Sequence, residues 1–444
     1  MEENWQKLSP EEKFEKRLAS WLSPEGVEFV SKEAEAAYKG RVTRIVDAIQ
    51  LKKTPDRVPV IPHVGFYPAY YAGFTPQEVM YDPDKAVAAW TKCVLDFEPD
   101  VKFSVNSALP GKVLEILDYR LYNWPGHGVS PNHGYQYVEG QYMKAEDYDA
   151  LIQDPTDFWM RTYLPRIMGS LQPFALLSPL TNVVEIPMTP PNISRYGLPE
   201  MQAALEKLAE AGREALKWQR RLAEADKKLE ELGFPRASRG MSKAPFDVIG
   251  DTLRGTREVM LDMFRRPGKL LEAIERVVPM MIRLGASGPT TGSPIVMMPL
   301  HKGADGFMSD EQFRTFYWPS LRQVILGLIE EGLVPELFAE GRYNTRLEVI
   351  RDLPKGKTIW HFDQTDIARA KEILGDVACI KGNVPLTLMQ AGTPEAVTSY
   401  CRQLIATAGK GGGFILATGA GIEQGKAENL RAMIQCAKEY GVYR

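Results

Sequence analysis

The chain is poor in cysteine. Cys93, Cys379, Cys401 and Cys436 are its only four, and no two of them form a CxxC pair. They read as reduced thiols of a cytosolic protein, not as a disulfide framework. Cys401 and Cys436 fall in helical patterns, where a thiol serves as a small core residue. Long apolar runs are missing too. None approaches the roughly 20 residues a membrane span needs. The first residues, MEENWQKLSPEEKFEKR, carry too much charge for a signal peptide, so a cytoplasmic location is expected. Neither sign of charge dominates. A net charge of −3 offers little to nucleic acid or to an anionic membrane. GxxxxGK[ST] and GxSxG are both absent, which removes the phosphate loop and the nucleophile elbow. Gly411, Gly412 and Gly413 precede an apolar run and do not lead from a strand into a helix. They read as a helix stop and a turn.

What is present is a rhythm. With 44% apolar residues over 444 positions, a large core can be buried. From residue 57 short β-rich runs alternate with amphipathic segments. The runs are 57–64, 101–106, 174–180, 246–250, 294–301, 333–338, 358–362, 377–384 and 413–419. Between them lie helical patterns such as DIARAKEILGD and PEAVTSYCRQLIATAG. Strands alternating with helices imply parallel pairing. About eight such units predict a (β/α)8 TIM barrel over residues 57–444, behind an N-terminal helical extension at 1–56. Two insertions interrupt it. Residues 107–145 are rich in Gly, Pro, Tyr and His and aperiodic, as a lid or functional loop would be. Residues 199–243 open on a charged amphipathic helix, 199–233, that ends in LGFP. Its uses are a solvated face, a homodimer contact, or a lid over the barrel.

The chemistry-bearing feature is a glutamate and a histidine one strand–helix–strand step apart. LVPELFAEG carries Glu340 and TIWHFD carries His361. A carboxylate and an imidazole at one end of neighbouring parallel strands suit a catalytic zinc or an acid/base pair. Side chains alternate along a strand, so Glu336, Phe338 and Glu340 share a face. Glu336 and Glu340 are about 13 Å apart at roughly 3.3 Å per residue, too far for one metal. The C-terminal rim therefore selects Glu340. His301, ending the preceding strand in phase with Met297 and Pro299, is the third ligand or a proton donor. Asp363 shares the face of His361 and could ligate or orient it. His63 and Asn383, at other strand ends, are candidate substrate or cofactor contacts. Plainer uses remain for each: Glu340 pairing with Arg342, His361 as a satisfied core histidine, His301 as loop polarity. Tyr67, Tyr70 and Tyr71 wall an aromatic substrate or pack under the first loop. His127 and His133 are exposed-loop residues or lid contacts, and Trp318 is core.

The distal half resembles the uroporphyrinogen decarboxylase superfamily of barrels. The resembling stretches are LGDVACIKGNVPLTLMQAGTPEAV and GGGFILATGAGIEQGKAENLRAMIQCAKEYG, with weaker likeness at 308–325 and 141–155. The superfamily implies either porphyrinogen decarboxylation or methyl transfer involving a corrinoid. The decarboxylases grip an acidic substrate with early arginines. Here that stretch reads IPHVGFYPAYYAG, without arginine, the natural bidentate partner of carboxylates. Thiol-directed methyltransferases of the superfamily carry a His-x-Cys and a last-strand cysteine as zinc ligands. Those positions read Phe338-Ala339-Glu340 and Ala420. What remains is Glu340 followed by His361. That pattern resembles the methyltransferase I components of corrinoid-dependent O-demethylases.

The resemblance implies a methyltransferase that demethylates a methoxylated, aromatic small molecule and passes the methyl group to cobalt. Zinc, held by Glu340, His361 and His301, or a proton donor would pull electrons from the departing oxygen. The corrinoid would arrive on a separate protein, since the chain lacks DxHxxG. The alternatives are a zinc methyltransferase acting on a thiol or methylamine-type substrate, a uroporphyrinogen decarboxylase-like lyase, and a non-catalytic corrinoid-binding module.

Overall fold

The computed structural model describes residues 5–443 except 104, 106 and 107. The end of the 101–106 run, the first residue of the 107–145 insertion and residues 1–4 of the N-terminal extension thus lie outside the described residues. Two helices come first: α1 (Pro10–Leu22) and α2 (Lys32–Gln50). Ser9 and Glu12 close a capping box on α1, and the Ser31 side chain caps α2, so both starts are fixed locally. Their apolar faces carry Phe14, Leu18, Trp21, Tyr38, Val42, Ile45 and Ile49. These join one buried cluster with Ile295, Val334, Ile359, Cys379 and Ile415, at or near the first residues of five barrel strands. The two helices therefore seal the N-terminal end of the barrel.

The barrel begins with an extended segment at 58–64, followed by α3 (Pro83–Phe97) and a second extended segment at 100–102. A hairpin comes next, with β1 (Tyr122–Pro125), β2 (Gly128–Val129) and β3 (Gln136–Tyr137). The long helix α4 (Pro199–Glu231) then returns the chain to the barrel. Its buried Ala204, Ala211, Trp218 and Ala225 recur every seven residues, so one narrow seam packs while most of the remaining surface is charged. Six parallel strands complete the sheet in chain order: β4 (Ser238–Met241), β5 (Ile295–Leu300), β6 (Val334–Ala339), β7 (Ile359–Phe362), β8 (Cys379–Val384) and β9 (Phe414–Thr418). Outer helices α5 (Pro267–Ala286), α6 (Trp318–Glu330), α7 (Ile367–Leu374), α8 (Pro394–Leu404) and α9 (Ala427–Tyr440) cover it.

Closure runs through the two extended segments. Val60 bridges Leu416 and Val64 bridges Ile422, both parallel. The Asp100 amide donates to the Val60 carbonyl, and the Lys102 amide to that of Pro235, just before β4. Eight staves thus form a (β/α)8 barrel, and 58–64 sits beside β9. No described helix is long and apolar enough to cross a membrane.

Two runs read as strands are not strands. Residues 174–180 belong to a 3-10 turn (Gly169–Leu176) and the irregular chain after it. Residues 246–250 lie in a helix that starts at Pro245 and continues through Leu253. The third stave is instead Ser238–Met241, a polar stretch with no apolar signal. It pairs with β5 along one edge and carries a register shift. An apolar run of five to seven residues has no periodicity to separate a strand from a short buried helix.

Candidate active site at the barrel mouth

The register of the sheet decides which side chains meet. Across β6 and β7, Phe338 is opposite His361 and Glu336 opposite Ile359; across β7 and β8, His361 is opposite Lys381. His361 therefore sits one inward layer below Glu340. Its Nδ1 lies 3.6 Å from Glu336 Oε1, and Glu336 is held by Lys381 Nζ at 2.6 Å. Its Nε2 is 2.8 Å from the Thr418 carbonyl, which can only accept, so Nε2 carries the proton. Phe338 packs against the imidazole with ring centroids 4.7 Å apart, and His63 lies 5.9 Å away. His361 is 1% exposed. Burial, with Lys381 nearby, holds its pKa below the ordinary value. Burial, with His361 and Lys381 beside it, brings His63 down to about 3. Both imidazoles are neutral. Burial alone would raise the Glu336 carboxyl, but the Lys381 ammonium outweighs it and holds it well below the usual range.

The expected pair of Glu340 and His361 does not form. Glu340 stands at the rim, and the ring nitrogen beside it is Nε2 of His301, 3.5 Å away. His301 follows β5. Its Nδ1 is 2.5 Å from Asp251 Oδ2. Asp251 also takes Lys243 at 2.7 Å and Lys302 at 2.9 Å. Below them Asp247 is fully buried. It accepts the backbone N–H groups of His301 and Lys302 and the hydroxyl of Tyr317, which fixes the loop that carries His301. Burial opposes a charge on His301. The hydrogen bond that His301 donates to Asp251, the Glu340 carboxylate near Nε2 and the field of Asp247 outweigh it and push the pKa up to about 10. His301 is an imidazolium at neutral pH, oriented by one carboxylate and facing another.

Asp247 and Asp251 escaped the sequence reading because FDVIG was read as a strand. In the observed helical turn, four residues apart, they share one face, which is how both reach His301.

A tyrosine wall stands beside this cluster. Tyr122 and Tyr135 meet edge to face at 5.7 Å, Tyr122 and Tyr137 at 5.5 Å, and Tyr135 reaches Phe66 at 6.1 Å. The Tyr137 hydroxyl donates to the backbone carbonyl of Asp251, which anchors the hairpin to the helix carrying the aspartates. Burial, with Asp251 and Glu340 facing it, raises the Tyr122 phenol above its ordinary value. These rings come from the 107–145 insertion, whose glycines and tyrosines were the available signal. Tyr67 and Tyr71 instead stack on each other at 5.9 Å and pack against Phe97 of α3, while the Tyr70 hydroxyl donates to the Asn132 carbonyl.

The other expected site residues hold the framework. Asp363 accepts the Gly341 N–H at 3.0 Å. Asn383 is 7% exposed, and its Nδ2 donates to the carbonyls of Asp363 and Thr365. His63 lies under the mouth against Phe338. His127 pairs with Glu115 at 2.8 Å and stacks on Trp124, and His133 is exposed. Met297 lies level with Glu336 in the lumen, and Trp318 is buried. The proposed zinc set of Glu340, His361 and His301 does not fit a metal. The His361 nitrogen that carries the proton is committed to Thr418, and the other faces Glu336 in the layer below. Among the described residues no three His, Cys, Asp or Glu side chains converge as ligands. His301 and Glu340 alone are half of a tetrahedral shell.

Comparison with known proteins agrees with this architecture. No curated protein matches the chain. Among solved structures, a methyltransferase from Methanosarcina mazei is similar, with a TM-score of 0.57 at 14% identity, over 90% of this chain and 98% of that one. At that identity the likeness concerns the fold. The uroporphyrinogen decarboxylase (URO-D) family model matches residues 190–440, which covers β4 to β9, the rim histidine and Glu340. That match spans more than half of the sequence, and the chain belongs to the uroporphyrinogen decarboxylase family.

Proposed function

We propose that the protein is an acid-assisted methyltransferase, which removes the methyl group of a methoxylated aromatic compound and delivers it to the cobalt of a corrinoid on a separate protein. The observation that carries this reading is the Asp251–His301–Glu340 cluster at the C-terminal rim, beside a wall of tyrosines. An aryl ether loses its methyl group with difficulty because aryl oxide leaves badly. The corrinoid supplies the electron pair of the new bond to carbon. As the carbon–oxygen bond breaks, its electron pair stays on oxygen, and the His301 Nε2 proton goes to that oxygen. The products are a phenol and a neutral imidazole still held by Asp251, which regains its proton from water. The charge state supports this role. The neighbouring carboxylates hold His301 as an imidazolium through neutral pH, so a proton is available for the departing oxygen. Glu340 occupies the outer face of Nε2 until the ether oxygen enters.

The tyrosine wall suits a flat ring, since aromatic pairs at these spacings stabilise edge and offset contacts. The corrinoid would remain on its carrier. Of the two side chains the sequence offered it, Asn383 is engaged with the carbonyls of Asp363 and Thr365, and the His63 ring packs against Phe338 and His361. The missing early arginines and the engagement of Lys243 and Lys302 with Asp251 leave little to grip a porphyrinogen's carboxylates.

Free reduced cobalamin with anisole or 4-methoxyphenol tests the reading, following the cobalt absorbance. Transfer by the wild type, lost in His301→Ala, is expected. Transfer from methylated thiols or amines but from no ether would overturn it.

A further inference from the structure

The mouth has a second end. β5 is the fourth stave and β9 the eighth, so the loops that follow them face each other across the barrel. The loop after β5 carries His301, and the loop after β9 carries Glu423. The Glu423 carboxylate lies against the chain after the first stave, where its Oε2 accepts the Phe66 N–H at 3.0 Å. The approach is so close that a Cβ on Gly65 would sit 2.0 Å from Oε1, and one on Gly134, in the hairpin, 3.8 Å from Oε2. Glycine at 65 is therefore what lets this carboxylate occupy the rim. Glu423 stays solvent-accessible and forms no ion pair among the described residues. Partial burial raises its pKa.

The tyrosine wall joins the two ends. Tyr122 faces Asp251 and Glu340, Tyr135 faces Glu423 and packs on Phe66, and the two rings touch each other. A planar substrate along this wall, with its ether oxygen at His301, presents its remote edge to an acceptor without a cation. We infer that Glu423 is a specificity-determining residue that selects methoxyarenes bearing a hydrogen-bond donor, such as a phenolic hydroxyl, remote from the methoxyl group, and rejects those bearing a carboxylate there. This rests on the methoxyarene reading of the site. A carboxylate accepts from a neutral donor and repels an anion, and an accessible acceptor buried by a ligand with no donor is left unsatisfied.

The test is binding, without turnover. 4-Methoxyphenol, anisole and 4-methoxybenzoate are titrated near neutral pH against the wild type, Glu423→Gln and Glu423→Ala, followed by ligand-observed NMR, with circular dichroism confirming each fold. The wild type should bind the phenol most tightly and the benzoate most weakly. Both variants should shrink the phenol-to-benzoate preference about tenfold, the scale of one hydrogen bond to a charged group, and bind anisole at least as well as the wild type, since it has no donor to lose. Equal preference in wild type and variants, a benzoate bound as tightly as the phenol, or no binding of any of the three overturns the inference. If the ranking holds and no ether yields its methyl group to reduced cobalamin, the assignment of Glu423 stands and the proposed reaction falls.

Discussion

His361 is level with Phe338 across the β6–β7 pairing, and the carboxylate beside it is Glu336 at 3.6 Å, not Glu340. An imidazole that is 1% exposed, bonded to a carbonyl and packed against a ring is part of the packing. His361→Ala should therefore act on stability first. It opens a cavity and strips a partner from the Thr418 carbonyl, a cost of about 2–4 kcal/mol. Chemical denaturation should show a lower midpoint with unchanged slope. Full stability with abolished methyl transfer would return His361 to the chemistry.

The Glu336–Lys381 pair in the same layer is fully enclosed, with side chains 9% and 7% exposed. Lys381→Met leaves an uncompensated carboxylate inside the barrel, which should cost about 3–5 kcal/mol. The double variant Glu336→Leu, Lys381→Met should recover most of that. The carboxyl's folded pKa is depressed, so its contribution is present above the ordinary carboxylate value and is lost as pH falls toward the depressed one. Wild-type stability should fall on acidification across that window, and the double variant should lose less. A double variant no more stable than the single one would refute the coupling.

Asp251 sets the protonation of His301. With a folded pKa of about 10, raised from 6.5, the imidazolium persists through neutral pH and is lost as pH rises through about 10. The stability tied to it follows the same window, present below 6.5 and gone above about 10. Asp251→Asn should move the alkaline fall in rate to lower pH and reduce kcat about 10²–10⁴-fold, the range of a lost general acid. Proton NMR of the His301 ring would follow the same shift. An unmoved ring titration would remove Asp251 from this role.

The barrel was legible because its signal is repetitive: β6, β7, β8 and β9 each coincide with a run of apolar residues before a helical pattern. The site was legible only in part. Glu340 and His301 were placed at the rim correctly by alternation along their strands. Their pairing was not, because a spacing of 20 residues gives a strand–helix–strand step but not the register that sets 338 opposite 361. Asp251 was lost when FDVIG was taken for a strand, and Tyr122 and Tyr135 because an aperiodic insertion gives no clue to where it folds back. Pairings distant in sequence, such as Phe66 with Glu423, leave no local trace at all.

Metal content gives the last prediction. His361 donates its Nε2 proton to a backbone carbonyl, and among the described residues neither Glu340 nor His301 has a third His, Cys, Asp or Glu ligand converging with it. A two-donor shell leaves half the tetrahedron to water, and such a site binds zinc weakly. Elemental analysis of purified protein should therefore find no zinc content that responds to His361→Ala. Any metal that responds to Glu340→Gln should be substoichiometric and removed by a brief chelator wash, with methyl transfer retained afterwards. One zinc per chain, lost in both variants together with activity, would mean that the mouth rearranges to bring His361 up to the rim, and the acid-assisted reading would give way to a Lewis-acid one.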